Sequence, residues 1–171
     1  MLGLGSSVNS EEAYAKGERY RERFHLSAGT YDAGNNPIGF GGEEIDYIGD
    51  FASGTDDDNF AKVNSSTSVS GGAMRVIASA TNGYAHIAIK TVPGVNYTLA
   101  VDVVAIQGGS YAIIAVGTEA GDTTYYTSGN EDSTGTYGSS FLSTRSVIII
   151  SLYSKTNGKY VAYDNISFKE A

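Results

Sequence analysis

Few side chains in this 171-residue sequence could do chemistry, and their spacing does not favour catalysis. The two histidines, His25 and His86, have no cysteine to work with, because the sequence contains none. Acidic side chains are grouped at 43–44, 56–58 and 131–132, but among turn residues, where charged side chains commonly keep a surface soluble. A glycosidase needs two carboxylates at a set separation, and no stretch has the pattern of a nucleophile elbow or a metalloprotease helix. The sequence therefore predicts a protein that is not an enzyme.

The 13 tyrosines are more informative. A tyrosine ring has an apolar face for stacking and a polar tip for hydrogen bonding, which suits a sugar-binding surface. Tyrosine is also a good strand residue and is enriched in subunit interfaces, and we favour the interface interpretation. Tyr163 is also predicted to point outward, from the last strand. The candidate glycan-binding residues, at predicted outward or loop positions, are Tyr84, His86, Tyr125, Tyr126 and Tyr137.

Calcium prefers hard oxygen ligands, and two regions of the sequence offer them. The acidic run 56–58 lacks the spacing and the glycine of an EF-hand loop, so we interpret it as a solvated turn. Asp50 and Asp164 are predicted to lie at the ends of two pairing strands. They are the candidate ligands of a structural Ca²⁺, and no other cofactor is expected.

The charge of the chain limits its partners. The net charge is −8 and the pI is about 4.6, and the 11 lysines and arginines are not clustered on any predicted strand. Binding to nucleic acid needs a basic patch, so nucleic acid is not an expected partner. No apolar run approaches the ~20 residues of a membrane-spanning helix, and residues 1–5 lack the features of a secretory signal. We therefore expect neither a membrane nor a nucleic-acid partner.

The first 43 residues differ from the rest of the chain. Residues 1–27 are predicted to form an arm and a short helix that begins near Asn9 or Ser10, and residues 28–43 a glycine-rich linker. The helix has a thin apolar stripe and is not expected to be stable alone. We interpret this segment as an anchor that grips another subunit. Its apolar contact residues would be Leu2, Leu4, Val8, Tyr20 and Phe24.

Residues 44–171 show short strands separated by turns, with no helical period. Residues 96–105 alternate most regularly, with Tyr97, Leu99, Val101 and Val103 predicted to point inward. Two stretches, 110–117 and 145–154, have apolar residues at both odd and even positions, which predicts strands covered on both faces. The expected fold is all-β, an antiparallel β-sandwich of the jelly-roll type.

Three further expectations concern the C-terminal third. Residues 123–128 are predicted to be a tyrosine-rich strand, and residues 129–140 a loop. In the last strand, residues 159–169, strict alternation would place Tyr160, Ala162, Ile166 and Phe168 on one face and Tyr163, Asn165, Ser167 and Lys169 on the other.

Three motifs in this order resemble the jelly-roll carbohydrate-binding modules associated with xylanases and cellulases. They are Gly49-Asp50-Phe51, the strand with Gly94, Tyr97, Leu99, Val101 and Val103, and Asp164-Asn165-Ile166-Ser167. The order is even more similar to the degenerate copies of this module in bacteriophage structural proteins. The resemblance implies a calcium site that uses Asp164, although Ala52 stands where such modules usually have an acidic residue. It also implies sugar stacking by tryptophan, which this chain lacks.

The resemblance implies a structural protein of a tailed-phage virion, in a decoration, cement or tail-associated role. The arm at 1–27 would attach it to capsid or tail subunits in many copies, as a homo-oligomer, and the sandwich would be displayed. The alternative is a free carbohydrate-binding module that recognises a host-surface or plant glycan.

Overall fold

The computed structural model describes residues 47–49, 51 and 56–171 of the chain. Within these residues, no helix has the length and apolar character needed to cross a bilayer. Several predictions from the sequence lie outside the described residues and stay predictions. They are the arm and helix at 1–27, the linker at 28–43, the anchor residues Leu2, Leu4, Val8, Tyr20 and Phe24, and the calcium ligand Asp50.

The described part of the chain is almost entirely β-structure, with one 3₁₀ helix at Asp56–Asn59. The strands pair in an antiparallel manner into two sheets. One sheet has six strands, in the order β3-β4-β11-β6-β9 with β1 also pairing with β11, and the other has five, in the order β2-β5-β10-β7-β8. In chain order the strands are β1 (Tyr47–Gly49), β2 (Ala61–Val63), β3 (Ser65–Ser70), β4 (Ala73–Ala78), β5 (Gly83–Lys90), β6 (Asn96–Ile106), β7 (Ala112–Gly117), β8 (Tyr126–Thr127), β9 (Gly135–Leu142), β10 (Val147–Ser154) and β11 (Tyr160–Glu170).

The core lies between the two sheets, and alternation along the strands builds it. Strand β6 buries Tyr97, Leu99, Val101 and Val103, as the sequence predicts. Strand β10 is the centre of the five-stranded sheet and pairs with β5 on one side and β7 on the other. The inward residues Ile148, Ile150 and Leu152 of β10 are wholly buried against the six-stranded sheet. These findings confirm the predicted all-β, antiparallel sandwich.

The last strand corrects the predicted alternation. The pairing of β11 with β6 shifts register at two places, between Ala162 and Tyr163 and between Asp164 and Ser167. Asn165 has a φ of 46°, the left-handed conformation that asparagine tolerates better than most residues. An extra residue in a strand reverses the faces of the residues on either side of it. The prediction that Tyr163 points outward is therefore wrong, because its side chain is wholly buried in the core.

Strand β9 corrects a second prediction. The sequence predicts a loop at 129–140, but residues from Gly135 onward form an edge strand that pairs with β6 over eight residue pairs. Glycine and serine have low strand propensity, and pairing with a well-formed neighbour overrides that preference. Conversely, the tyrosine-rich strand predicted at 123–128 is limited to the two residues Tyr126–Thr127.

Candidate functional site

The outer face of the five-stranded sheet carries an aromatic surface. Alternation along β5 directs Tyr84 and His86 away from the core. Strand β10 places Tyr153 directly opposite Tyr84, and the two ring centroids are 4.7 Å apart with an angle of 38° between the planes. The Tyr84 and His86 ring centroids are 5.8 Å apart. Side chains on neighbouring strands interact in this way across a sheet, and the three rings form one continuous surface. We call Tyr84, His86 and Tyr153 the aromatic row.

Beside the aromatic row the same sheet face has small side chains. Ser151 of β10 lies opposite His86, and Ala115 of β7 lies opposite Ser151. Small side chains beside large rings leave a depression in the sheet surface. Ser151 and Ala115 are 0% exposed although they face away from the core, and Ala88, the next outward residue of β5, is 2% exposed. The depression is therefore covered.

Residues 118–124, between β7 and β8, lie over this depression, and we call them the strap. Gly121 donates its backbone N–H to Ser151 Oγ at 3.0 Å, and its carbonyl accepts a hydrogen bond from the Tyr153 hydroxyl at 3.2 Å. Gly121 has a φ of 82°, and a Cβ there would be 2.8 Å from the Tyr153 hydroxyl oxygen and 3.4 Å from that of Tyr84. A residue without a side chain therefore lets the strap reach both tyrosines.

One carboxylate holds the two ends of the strap together. Asp122 Oδ2 accepts hydrogen bonds from the Thr124 hydroxyl at 2.6 Å and from the Thr118 N–H at 2.8 Å and hydroxyl at 3.1 Å. Its Oδ1 accepts from the Thr124 N–H at 3.0 Å. Hydrogen bonds to the ionised carboxylate lower the pKa of Asp122 to about 2, and the bond from the Thr124 hydroxyl has the largest effect. A Cβ at Gly117 would lie 2.5 Å from the Asp122 side chain, so the strap is closely fitted to the end of β7.

We expect Asp122 to stay ionised until the pH falls to about 2. Because this folded-state pKa lies below the ~3.9 of an unperturbed aspartate, the carboxylate stabilises the strap above about pH 4 and stops doing so as the pH falls through about 2. NMR titration of the Asp122 carboxyl carbon measures the midpoint. A midpoint near ~4, or Thr118 and Thr124 amide resonances that do not change with it, would contradict this role.

Burial sets the protonation states in the aromatic row. Burial lowers the pKa of His86, and its Nδ1 is buried with no hydrogen-bond partner in the described part of the chain. Burial raises the pKa of the Tyr153 hydroxyl, and the neighbouring Tyr84 raises this pKa by a smaller amount. The imidazole of His86 and the hydroxyl of Tyr153 are therefore uncharged at neutral pH. A neutral imidazole keeps one donor nitrogen and one acceptor nitrogen, and a tyrosine hydroxyl can do both.

The core supports the aromatic row from beneath. Tyr163 belongs to the six-stranded sheet, and its hydroxyl crosses the core to donate a hydrogen bond to the backbone carbonyl of Tyr153. Burial raises the pKa of Tyr163 far above its ordinary value, so the hydroxyl stays protonated and can donate. The position of β10 at the aromatic row thus depends on a residue of the opposite sheet.

The structure separates the five predicted glycan-binding residues into two groups. Tyr84 and His86 lie together in the aromatic row, whereas Tyr125, Tyr126 and Tyr137 pack against the core where β8 and β9 approach each other. The Tyr125 ring stacks on Phe141 with centroids 5.4 Å apart, and the Tyr137 hydroxyl donates to a backbone carbonyl at 2.9 Å. Tyr153, which the sequence analysis missed, completes the row.

The predicted calcium ligand Asp164 lies in β11 directly opposite Asp102 of β6. Asp102 accepts hydrogen bonds from the Thr136 hydroxyl and, at 2.9 Å, from the Asn165 side-chain amide. Asp164 Oδ1 accepts from the Asn165 backbone N–H at 2.8 Å. Among residues 47–49, 51 and 56–171, no group of three or more histidine, aspartate and glutamate side chains is placed to hold a metal ion. The calcium site with Asp50 stays a prediction.

Comparisons with known proteins support the fold. No protein-family model matches the sequence, and a comparison with curated proteins finds no match. Among solved structures, the chain is similar to a CBM4 carbohydrate-binding module, with a TM-score of 0.51 and 13% identity over 66% of this chain and 78% of that one. It is also similar to the CBM22-1 xylan-binding domain of Paenibacillus barcinonensis Xyn10C, with a TM-score of 0.51 and 9% identity over 78% of this chain and 97% of that one.

A third similar structure is the CBM22-1–CBM22-2 tandem domain of the same Paenibacillus barcinonensis protein, with a TM-score of 0.55 and 7% identity. The match covers 80% of this chain and 47% of that one, so the chain spans about half the length of the two-module structure. At these identities the similarity concerns the fold. The described part of this chain has the two-sheet β-sandwich fold of carbohydrate-binding modules.

Proposed function

We propose that this chain is a non-enzymatic carbohydrate-binding protein that holds a glycan against the outer face of its five-stranded sheet. The observation that carries the proposal is the aromatic row, in which the rings of Tyr84, His86 and Tyr153 form one surface on the outer face of the sheet. Its fold supports the proposal, because the similar structures are carbohydrate-binding modules. The ligand would be a host-surface or plant glycan.

The chemistry of the aromatic row suits a sugar. A pyranose ring presents apolar C–H groups on its faces and hydroxyls around its edge, and aromatic side chains with polar tips match both. The imidazole of His86 lies next to the Tyr84 ring, with the two ring centroids 5.8 Å apart. Tyrosine rings take the role that tryptophan would have, since the chain contains no tryptophan.

The same face supports binding rather than hydrolysis. Cleavage of a glycosidic bond ordinarily needs a pair of carboxyl groups on either side of the bond. In the strap beside the aromatic row, both oxygens of the Asp122 carboxylate are engaged by Thr118 and Thr124. A carboxylate with a pKa of about 2 is also a poor proton donor at neutral pH.

A glycan array probed with the full chain tests the proposal, and Tyr84→Ala tests the site. We expect a specific glycan to bind, and Tyr84→Ala to weaken that binding about 10- to 100-fold, which corresponds to the ~1.5–3 kcal/mol of burying one aromatic side chain. Tyr84→Phe keeps the ring and should retain most of the affinity.

Tyr160→Ala is the matched control for this experiment. Tyr160 is a partly buried tyrosine on the outer face of the other sheet, with the Arg75 guanidinium 4.8 Å from its ring centroid. We expect its removal to leave glycan binding unchanged. An array without a specific hit would overturn the proposed function, and equal losses from the two alanine variants would overturn the assignment of the face.

The location in a virion, with capsid or tail subunits as partners, stays a prediction from the sequence. It depends on residues 1–27, which lie outside the described residues. Deleting residues 1–27 should abolish incorporation into particles and leave glycan binding intact if both interpretations hold.

A further inference from the structure

The strap blocks part of the surface on which a glycan would lie. Neighbouring strands are ~4.8 Å apart, so the five strands offer a path of roughly 20 Å from β2 to β8. The strap crosses that path, because Gly121 is bonded to Ser151 and Tyr153 of β10. Within the described part of the chain, the more exposed part of the path is the side of β2 and the first half of β5, where His86 is partly exposed and its neighbour on β2, Ala61, is exposed.

We propose that the strap makes the site blind-ended, so that it accepts the terminal segment of a glycan chain and excludes the chain interior. This inference rests on the proposed function of the aromatic row. A glycan could approach from the β2 side and stack on Tyr84, but it would meet the strap at Tyr153. Asp122 is the positioning residue, since it acts on the ligand only through the strap.

Displacing the strap would break several contacts at once. A chain that continued towards β8 would have to separate the Gly121 N–H from Ser151 and the Gly121 carbonyl from Tyr153. Each lost hydrogen bond lowers the stability of the closed strap, and a buried group left unpaired lowers it further. Ser151 is wholly buried, so its hydroxyl would lose this partner unless the ligand replaced it. The four hydrogen bonds to Asp122 keep the strap in place before any ligand arrives.

Asp122→Ala in the full chain tests the inference. The probes are a hexasaccharide and the polymer of the same repeat, taken as xylohexaose with xylan or mannohexaose with mannan according to the array. The wild-type protein should bind both with the same affinity per chain end. Asp122→Ala should bind the hexasaccharide several-fold more weakly, because the loosened strap no longer meets the end of the glycan. It should bind the polymer about 10-fold more tightly per chain end, because the interior of the polymer then becomes accessible to the site.

Asp132→Ala is the control, since it removes the same charge from an exposed residue in the loop that leads to β9. It should leave both affinities unchanged. Hydrogen exchange of the Gly121 amide reports the strap without any glycan, and it should accelerate in Asp122→Ala only.

The opposite changes for short and long probes separate a positioning role from a structural one, because a merely destabilised site would lose affinity for both. If the wild-type protein binds polymer interiors, or if exchange at Gly121 accelerates while polymer affinity does not rise, the blind end is wrong and the proposed function stands. If no glycan binds the wild-type protein, the blind-ended site and the proposed function are both wrong.

Discussion

Replacing Tyr163 with alanine is expected to lower the free energy of unfolding by ~3–5 kcal/mol, the cost of removing a large aromatic side chain from a packed core. Tyr163 is 0% exposed, and its hydroxyl joins the two sheets through the carbonyl of Tyr153. Its removal leaves a cavity between the sheets and takes one hydrogen bond away from the carbonyl behind the aromatic row. Since single domains have only ~5–15 kcal/mol of stability, the loss is a large share of the total.

Urea unfolding followed by circular dichroism measures this change. Tyr163→Phe keeps the ring and removes only the hydrogen bond, so it should cost ~1 kcal/mol. Tyr160→Ala, three residues earlier on the opposite face of β11, should cost less than about 1 kcal/mol, because its ring is partly exposed. A smaller loss at Tyr163 than at Tyr160 would show that β11 continues in strict alternation and that the bulge is absent.

Replacing Gly138 with alanine is expected to destabilise the protein by ~3 kcal/mol, at the upper end of the usual cost of overpacking. A Cβ at Gly138 would lie 1.9 Å from the backbone carbonyl oxygen of Leu99 and 2.9 Å from the Cα of Ala100. These are backbone atoms of β6, which lies between β9 and β11 in the six-stranded sheet. They cannot move without disturbing the core, so the change should separate β9 from β6.

Gly108→Ala is the matched control, because a Cβ there has no heavy atom within 4 Å. We expect its midpoint of unfolding to stay close to that of the wild-type protein. Faster hydrogen exchange in Gly138→Ala, confined to the amides that pair β9 with β6, would locate the damage. A Gly138→Ala protein as stable as Gly108→Ala would mean that β9 does not lie against β6 as described.

The regular strands could be predicted from the sequence because alternation is a local signal. Tyr97, Leu99, Val101 and Val103 recur at every second position, and the structure buries all four. The sequence prediction failed where a distant partner decides the conformation. Asn165 adopts a left-handed conformation in the register shift between β11 and β6, and nothing local shows that the faces of β11 change there.

The candidate site could likewise be predicted only where the signal is local. Alternation along β5 correctly directs Tyr84 and His86 outward. Tyr153 lies 69 positions after Tyr84, in a strand whose apolar residues occur on both parities, so only the pairing of β10 with β5 shows that the two rings meet. Asp122 resembles any solvated acid in a turn, and its role follows from the threonines at 118 and 124 that converge on it.

The most direct test of the central claim is an NMR map of the amide shifts that change when the wild-type protein binds its glycan. If the ligand lies on the outer face of the five-stranded sheet, the largest changes will occur at Tyr84, His86, Tyr153 and Gly121. Changes centred instead on the outward residues of the other sheet, such as Thr98, Ala100 and Ser167, would contradict the account.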